Sequence, residues 1–326
     1  HLLLESLDGT LLAAAPAYLK AHSRGEFVFD WSWADAYERA GGRYYPKLVL
    51  AVPLTPVTGA RILHSSAVSP AVATQQLLGA ATQLCEREGW SSAHCLFPED
   101  VQAQLAGALG WRLREGAQFH WFNRGYQDFD QFLGELSSKK RKNIRRERRQ
   151  VTDAGVSVTM QPASAVTEAD WLTFHHCYQN TFAAHGNVAV ISLACFLELA
   201  QTLADALLMA QARAPDGRLF AAALFLQSSD TLYGRYWGCL EDRPGVHFEA
   251  CYYQGIEYCI AHGLTRFEPG AQGEHKIPRG FLPVPTWSAH WFAQRDFDAA
   301  IERFLARERT LVAGYRAELQ VSGPYR

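Results

Sequence analysis

The chain of 326 residues predicts a layered α/β fold, with mixed sheets flanked by helices, written twice along its length. Three observations carry that expectation. The composition, 48% hydrophobic and 12% aromatic, supports a sizeable core and excludes a disordered chain. Apolar runs of strand length alternate with longer segments of helical spacing, the pattern of α/β layers. Finally, a hairpin recurs. LLLESLDGTLLAAAPAYL (2–19) and LLMAQARAPDGRLFAAALFL (207–226) both set an Asp-Gly turn between apolar strands. Asp8 and Asp216 lie 208 residues apart, as do Ala13 and Ala221.

The elements follow in order from run length and spacing. After the first hairpin come a short helix near 32–40, the strand KLVLAVPL (47–54), the loop TPVTGARIL, and a helix from 70 to 88. Next are the strand SAHCLFP, a helix at 99–109 and the strand QFHWFN. Before the second hairpin, helices fit 167–182 and 192–205. After it come the strand TLYGRYWG, a helix at 247–262, the strand RFEPG, a strand at 286–292 and a last helix at 296–312. Each unit reads as a helix pair, a hairpin, a strand, a helix and a strand. The first has no room for the helix pair, so the chain is expected to begin partway through a domain. The expected division is 1–125, a basic connecting helix at 126–155, and 156–326.

Bulk properties narrow the partners. A net charge of −2 gives no overall pull toward duplex DNA or anionic membrane, and no run of 18 apolar residues exists to span a bilayer. Seven cysteines, an odd number without a C-x-x-C pair, argue against a disulfide framework or structural zinc. Reduced thiols in a cytoplasmic protein fit better. No convincing metal constellation is present.

Two stretches stand out. SSKKRKNIRRERRQ (137–150) holds eight Lys or Arg against one Glu, so the remaining residues sum to −9. With Ser137 or Ser138 as the cap, the cations from Lys139 to Lys142 oppose the helix dipole, a cost that a bound anion would offset. Lys139, Arg141, Lys142 and Arg145 are therefore candidate phosphate contacts. A solvated connecting helix explains the run equally well. FEPGAQGEHKIPRGF (267–281) sets charged groups among Gly and Pro and is expected to be a rigid loop without helix.

Strand, hairpin and helix order resembles the GNAT acyltransferase fold, here duplicated. Tandem GNAT-like domains resemble the Fem peptidyltransferases, to whose basic helix and terminal Gly-rich segment SSKKRKNIRRERR and GAQGEHKIPRGF correspond. The chain is most similar to the peptidoglycan biosynthesis/recognition family of N-acyltransferases. YLKAHSRGEFVFDWSWADAYERAG, YYPKLVLAVPLTPVTGARIL, GRYWG, HFEACYYQGIEYCIAHGL and the 267–281 segment carry that similarity across nearly the whole sequence. The resemblance implies transfer of an acyl or aminoacyl group from an activated donor, acyl-CoA or aminoacyl-tRNA, to an amine. The acceptor would be a peptide or nucleotide-linked precursor, with no tightly bound cofactor. An acyl-CoA transferase acting on a small amine and a non-catalytic precursor-recognition module remain open alternatives.

Acyl transfer to an amine needs a base, an oxyanion stabiliser and a device that holds the reactants. Glu268 or His275 suits the base and Lys276 the stabiliser, the Fem resemblance favouring Lys276. Arg279 suits a bidentate clamp on carboxylate or phosphate. Glu249, Tyr253 and Glu257 share one helix face by i, i+4 spacing. Together with Glu274, and with Trp31, Trp33 and Lys47 in the first unit, Glu249 and Tyr253 are candidate substrate contacts. Thr58, Gly59 and Arg61 of TPVTGAR fall at the GNAT pyrophosphate position. The active site is expected in a cleft between the two domains.

Overall fold

The computed structural model describes every residue except Gln272, Ser322 and Arg326. The strands, in chain order, are β1 (Leu2–Glu5), β2 (Leu11–Ala15), β3 (Ala17–Lys20), β4 (Lys47–Leu50), β5 (Leu63–His64), β6 (Ser92–Leu96) and β7 (Arg112–Phe122). They continue with β8 (Ser157–Pro162), β9 (Leu207–Arg213), β10 (Leu219–Gln227), β11 (Thr231–Cys239), β12 (Arg266–Glu268) and β13 (Leu282–Phe292). The helices are α1 (Trp31–Arg39), α2 (Pro70–Glu88), α3 (Asp100–Ala108), α4 (Phe129–Glu135) and α5 (Ser138–Asp153). Then come α6 (Glu168–Ala184), α7 (Leu193–Leu203), α8 (Val246–Phe248), α9 (Gln254–Ala261) and α10 (Arg295–Val321).

Two compact units result, His1–Gln118 with Val284–Glu318, and Phe119–Pro283 with Leu319–Arg326. The division differs from the one expected: α5, read as a connector, lies wholly within the second unit. Each unit also takes its outermost matching strand from the far side of the sequence. Most of β13 serves the first unit, and the end of β7 serves the second.

In the first unit β3 and β4 pair antiparallel, β4 and β6 parallel, and β6 and β13 antiparallel. In the second, β10 and β11 pair antiparallel, β11 and β12 parallel, and β12 and β7 antiparallel. The duplication holds in register. Ala17, Tyr18 and Leu19 face Leu50, Val49 and Leu48, while Phe225, Leu226 and Gln227, 208 positions on, face Gly234, Tyr233 and Leu232.

The first hairpin departs from its expected place. β1 and β2 pair with β5 in a separate three-stranded sheet, and only β3 joins the main sheet of its unit. Pro16 sits at the break. It has no N–H to give a ladder and is confined to strand edges and breaks. The corresponding residue of the second hairpin is Leu224, and β10 runs through it.

Helix ends follow local chemistry. The Ser69 hydroxyl accepts from the Val72 N–H at 3.3 Å, Pro70 starts α2, and Gly89 ends it with φ 69°. Leu77, Leu78 and Ala81 of α2 then bury against Leu48, Leu50 and Ala93. The second unit has one core around Trp121, Phe225, Ile256, Phe267 and Phe281. A further core forms where the expected helix pair, through Trp171, Phe174, Tyr178 and Phe196, covers Leu207, Met209 and Leu224.

Candidate active site

Within the second unit β11 and β12 pair over Thr231–Tyr233 and Arg266–Glu268, and there the pairing stops. Pro269 cannot continue the ladder. Its backbone passes so close to Gly234 that a Cβ there would lie 3.1 Å from Pro269 Cα. Just beyond, Phe225 faces Gly234 and Leu224 faces Tyr236, so Arg235 is an extra residue, a β-bulge. A cavity of about 90 Å³ opens at this point, walled by Gly234, Arg235, His247, Cys251, Tyr252 and Pro269. The sequence reading took TLYGRYWG as a plain strand; its signal was Gly234, since glycine inside a strand marks a bulge or a close approach.

Glu268, the last residue of β12, is buried. Burial pushes its carboxyl up to about 7, against the opposing charge of Arg266. Arg266 Nε lies 3.1 Å from Glu268 Oε1, and His120 Nδ1 lies 3.8 Å from the same oxygen. Burial, then the charges of Arg266 and Lys276, push His120 down to about 3. That imidazole is neutral at pH 7, so its contact with Glu268 is not an ion pair.

The stretch expected to contain no helix has one. Glu274–Arg279 forms a 3₁₀ turn with Pro278 inside it. So short a turn needs few N–H donors, and the φ fixed by proline suits it. Gln272 lies outside the described residues. Gly273 has φ 113°, a backbone conformation that L side chains rarely adopt, and a Cβ there would also displace the His275 ring. In a 3₁₀ turn residues i and i+3 eclipse, which places Lys276 and Arg279 on one face. Both are buried, whereas Glu274 and His275 are exposed.

Lys276 Nζ donates to the Gly270 carbonyl at 2.7 Å. Burial brings its pKa down to about 8, partly offset by the Cys251 thiol. The Arg279 guanidinium donates to the Tyr253 hydroxyl at 3.0 Å, to the His275 carbonyl at 2.5 Å and to Glu147 Oε1 at 2.8 Å. It also lies 3.4 Å from the centroid of the Phe248 ring. Tyr253 donates to the other Glu147 oxygen. Arg279 and Tyr253, expected to contact substrate, are thus committed to each other and to α5. His275 Nε2 is 2.7 Å from the Tyr252 hydroxyl, and burial lowers its pKa, helped by Lys276 and Arg279.

The helix expected over 247–262 contains a π segment, Glu249–Tyr253, between α8 and α9. Such segments bring i and i+5 together and recur at functional sites. Here the rings of His247 and Tyr252 stand 5.6 Å apart, and Gln254 Nε2 donates to Glu249 Oε1 at 2.9 Å. The shift divides the face expected to hold Glu249, Tyr253 and Glu257. Arg148 Nε donates to Glu249 at 3.0 Å, and its Nη1 donates to Glu257 at 2.7 Å, while Tyr253 turns to Glu147. Glu249 is a partner of Arg148, then, rather than an open substrate contact. His247, on the cavity wall, is pushed down to about 4 by burial and the charges of His275, Arg279 and Lys276.

The basic run is split by direction. Its later part turns inward through Glu147 and Arg148. Of the candidate phosphate contacts, Arg145 pairs with Asp130 at 2.8 Å, both exposed, and Arg141 Nη1 donates to the Gly134 carbonyl at 3.4 Å. Lys139 and Lys142 are exposed in the first turns of α5, which Ser137 does not cap with its side chain.

The first unit corrects several expectations. Lys47 is fully buried and donates to Ser23 Oγ at 2.7 Å, Glu26 Oε2 at 2.8 Å and Asp30 Oδ2 at 2.5 Å, so it is not an open ligand contact. Burial would raise Asp30, but the Lys47 charge and hydrogen bonds hold it below the usual range. Trp33 is interior, its ring 4.8 Å from His290 and 5.9 Å from Phe292, and only Trp31 is at the surface. Arg61 is buried and donates to the carbonyls of Leu96, Gly59 and Val57 at 2.7, 2.9 and 2.5 Å. The Gly59 N–H goes to the Phe97 carbonyl at 3.1 Å. Arg61 and Gly59 therefore tie the loop to β6 instead of presenting donors to a phosphate, and Thr58 is half-buried beside them.

The doubled mixed sheet with its flanking helices is a tandem GNAT-like fold. The chain belongs to the FemAB_like family, described as peptidoglycan biosynthesis/recognition, whose profile matches residues 1–326. No curated protein sequence matches it. Among solved structures it is similar to L-PGS from Bacillus licheniformis, at 12% identity, with 81% of this chain and 84% of that one covered and a TM-score of 0.55. It is also similar to FemX, at 11% identity, 91% and 89% coverage and a TM-score of 0.53. At that identity the likeness shows the fold. Family and fold together support acyl or aminoacyl transfer in general. Among the described residues no helix is long and apolar enough to cross a membrane.

Proposed function

We propose that this protein is an N-acyltransferase that moves an acyl or aminoacyl group from an activated donor to an amine. One observation carries the reading: a buried carboxyl, Glu268, held near neutrality at the mouth of the parted strands, with buried Lys276 on the loop that follows. A base with a pKa near the working pH is the most effective one. Glu268 takes the proton of the incoming ammonium, the freed amine attacks the donor carbonyl, and collapse of the tetrahedral intermediate breaks the donor bond. The expelled thiolate or ribose oxygen takes the proton lost by the new amide nitrogen, and Glu268 returns its own to solvent. The Lys276 ammonium stabilises the oxyanion, acting from a desolvated position where a charge counts for more than in water. His275 is the weaker base candidate, since its ring is exposed and engaged by Tyr252.

The family description favours a peptidoglycan precursor as the source of the accepting amine, and acyl-CoA and aminoacyl-tRNA are the donors to test. A thermal-shift screen against CoA thioesters, UDP-linked muropeptides and aminoacyl-tRNA should find the donor and acceptor, followed by turnover assays on the pair. The reading predicts turnover that depends on Glu268 and Lys276. Ligand binding without any turnover would overturn it in favour of a recognition module.

A further inference from the structure

The first unit holds a cavity of about 250 Å³ where the parallel strands β4 and β6 end. Val49, Ala51, Leu54, Leu96 and Phe97 line it, with Glu26. Its rim is open and apolar, since Leu19 and Val52 also line it and are 52% and 42% exposed. Nothing in the transfer chemistry proposed for the second unit uses this space.

Two features mark it as built rather than incidental. Among the described residues four that are not glycine have left-handed φ, and three of them are here: Leu54 at 55°, Phe97 at 54°, and Phe27, next to Glu26, at 59°. Such backbone is costly for bulky residues and collects at ligand clamps. Gly25, itself at φ 77°, leaves room for Leu54, whose Cδ2 would be 2.5 Å from a Cβ placed there. The charges in the wall also cancel. Glu26 sits between Lys47 at 2.8 Å and Lys20 at 3.2 Å, and Lys47 holds Asp30 at 2.5 Å. Lys20 and Glu26, the charged residues of the lining, cancel, and the Lys47–Asp30 pair behind them adds no net charge, so nothing is left to hold an ionic head group.

We infer that this cavity is a second ligand site, which takes an uncharged hydrocarbon segment of a substrate or effector. At roughly 30 Å³ per water-sized group its volume accommodates about eight methylenes. An apolar cavity of about 150 Å³ already takes benzene. The inference is independent of the transfer reading, because it concerns residues of the other unit and is tested by binding alone.

The test is isothermal titration calorimetry of the intact chain with 1-alkanols from butanol to decanol. Affinity should rise about fourfold per added methylene and flatten near eight carbons. Octanoate and octylammonium should bind no more tightly than octanol. Ala51→Phe, which fills the space, should weaken octanol at least tenfold while the Tm is kept. Leu54→Gly relieves the left-handed strain while removing part of the wall, so it should weaken octanol too and decides the matter if the first variant misfolds. Octanol affinity unchanged in the folded variants would overturn the inference. So would octanoate or octylammonium binding tenfold more tightly than octanol.

Discussion

In the first unit β3, β4, β6 and β13 carry Tyr18, Val49, His94 and His290 across from one another. In the second, β10, β11 and β12 carry Leu226, Tyr233 and Glu268 in the same register, with His120 of β7 beside Glu268. His94 and Glu268 therefore occupy one position of the repeat, and both are buried. The first unit closes that position. His94 Nδ1 and His290 Nδ1 are 2.6 Å apart, and each outer nitrogen meets a serine, Ser92 and Ser288, at 2.8 Å. Two neutral imidazoles share their protons along this chain, and burial holds both pKa values well below the usual one. The second unit instead places a carboxyl there, with its pKa near 7 and its histidine partner at 3.8 Å. One position thus serves packing in one copy and is poised for proton transfer in the other.

The largest expected effect is on turnover. Glu268→Gln keeps the shape but removes the proton acceptor, and should lower kcat by ~10²–10⁴, the usual worth of general-base catalysis. His94→Gln, at the matching position, should lower stability and leave kcat per folded molecule within about twofold. Equal losses of kcat from both would erase the distinction between the units. Next, Lys276→Ala should cost ~10²–10³ in kcat, as removal of an oxyanion donor does. Circular dichroism should show the fold retained, and a wild-type rate in that variant would remove Lys276 from the chemistry.

The two positions should also respond to pH with opposite sign. Glu268 titrates higher in the folded state than its ordinary 4.5, so the stability it contributes at low pH is lost as pH rises through about 7. His94 and His290 titrate lower when folded than their ordinary 6.5, so their contribution is lost as pH falls below 6.5. Hydrogen exchange read separately for β12 and for β6 and β13 should show it. Glu268→Gln should stabilise β12 at pH 8, by about 1–3 kcal/mol, and change little at pH 4.5. Protection that rises with pH in both units would contradict the assignment.

The smallest effect concerns α5. Arg145 makes an exposed pair with Asp130, and half-buried Arg141 bonds the Gly134 carbonyl at a long 3.4 Å. Charge reversal at either should change stability by under ~0.5 kcal/mol, because exposed pairs and long hydrogen bonds are worth little. Arg148→Ala should cost more, since it leaves Glu249 buried without its partner. Chemical denaturation ranks the variants, and an equal cost at all three sites would mean that the run has no inward side.

What the sequence revealed follows from the range of the interactions. α2 was readable from Ser69, Pro70 and Gly89 because caps and turns act within a few residues. That Gly and Pro around charged groups make a rigid loop was readable, but which of those groups is buried was not. The 3₁₀ turn that buries Lys276 and leaves His275 exposed has too few apolar residues to show a period. The fate of the other cations was hidden. Lys47 meets partners 17 to 24 residues away, and Arg148 meets Glu249 and Glu257 at separations of 101 and 109. Residue type gave Arg61 and Arg279 the chemistry of anion binding, but carbonyls and Glu147 had already claimed their donors. The exchange of β7 and β13 between units was equally out of reach, since strand pairing over such distances leaves no local mark.

The central claim is that Glu268 is a base poised near neutrality while its counterpart in the first unit is sealed. Carboxyl-carbon NMR of the ¹³C-glutamate-labelled protein, with Glu268 assigned from the resonance missing in Glu268→Gln, reads this without any substrate. The account predicts that the Glu268 resonance titrates near pH 7. A Glu268 resonance that titrates near its ordinary 4.5 would contradict it.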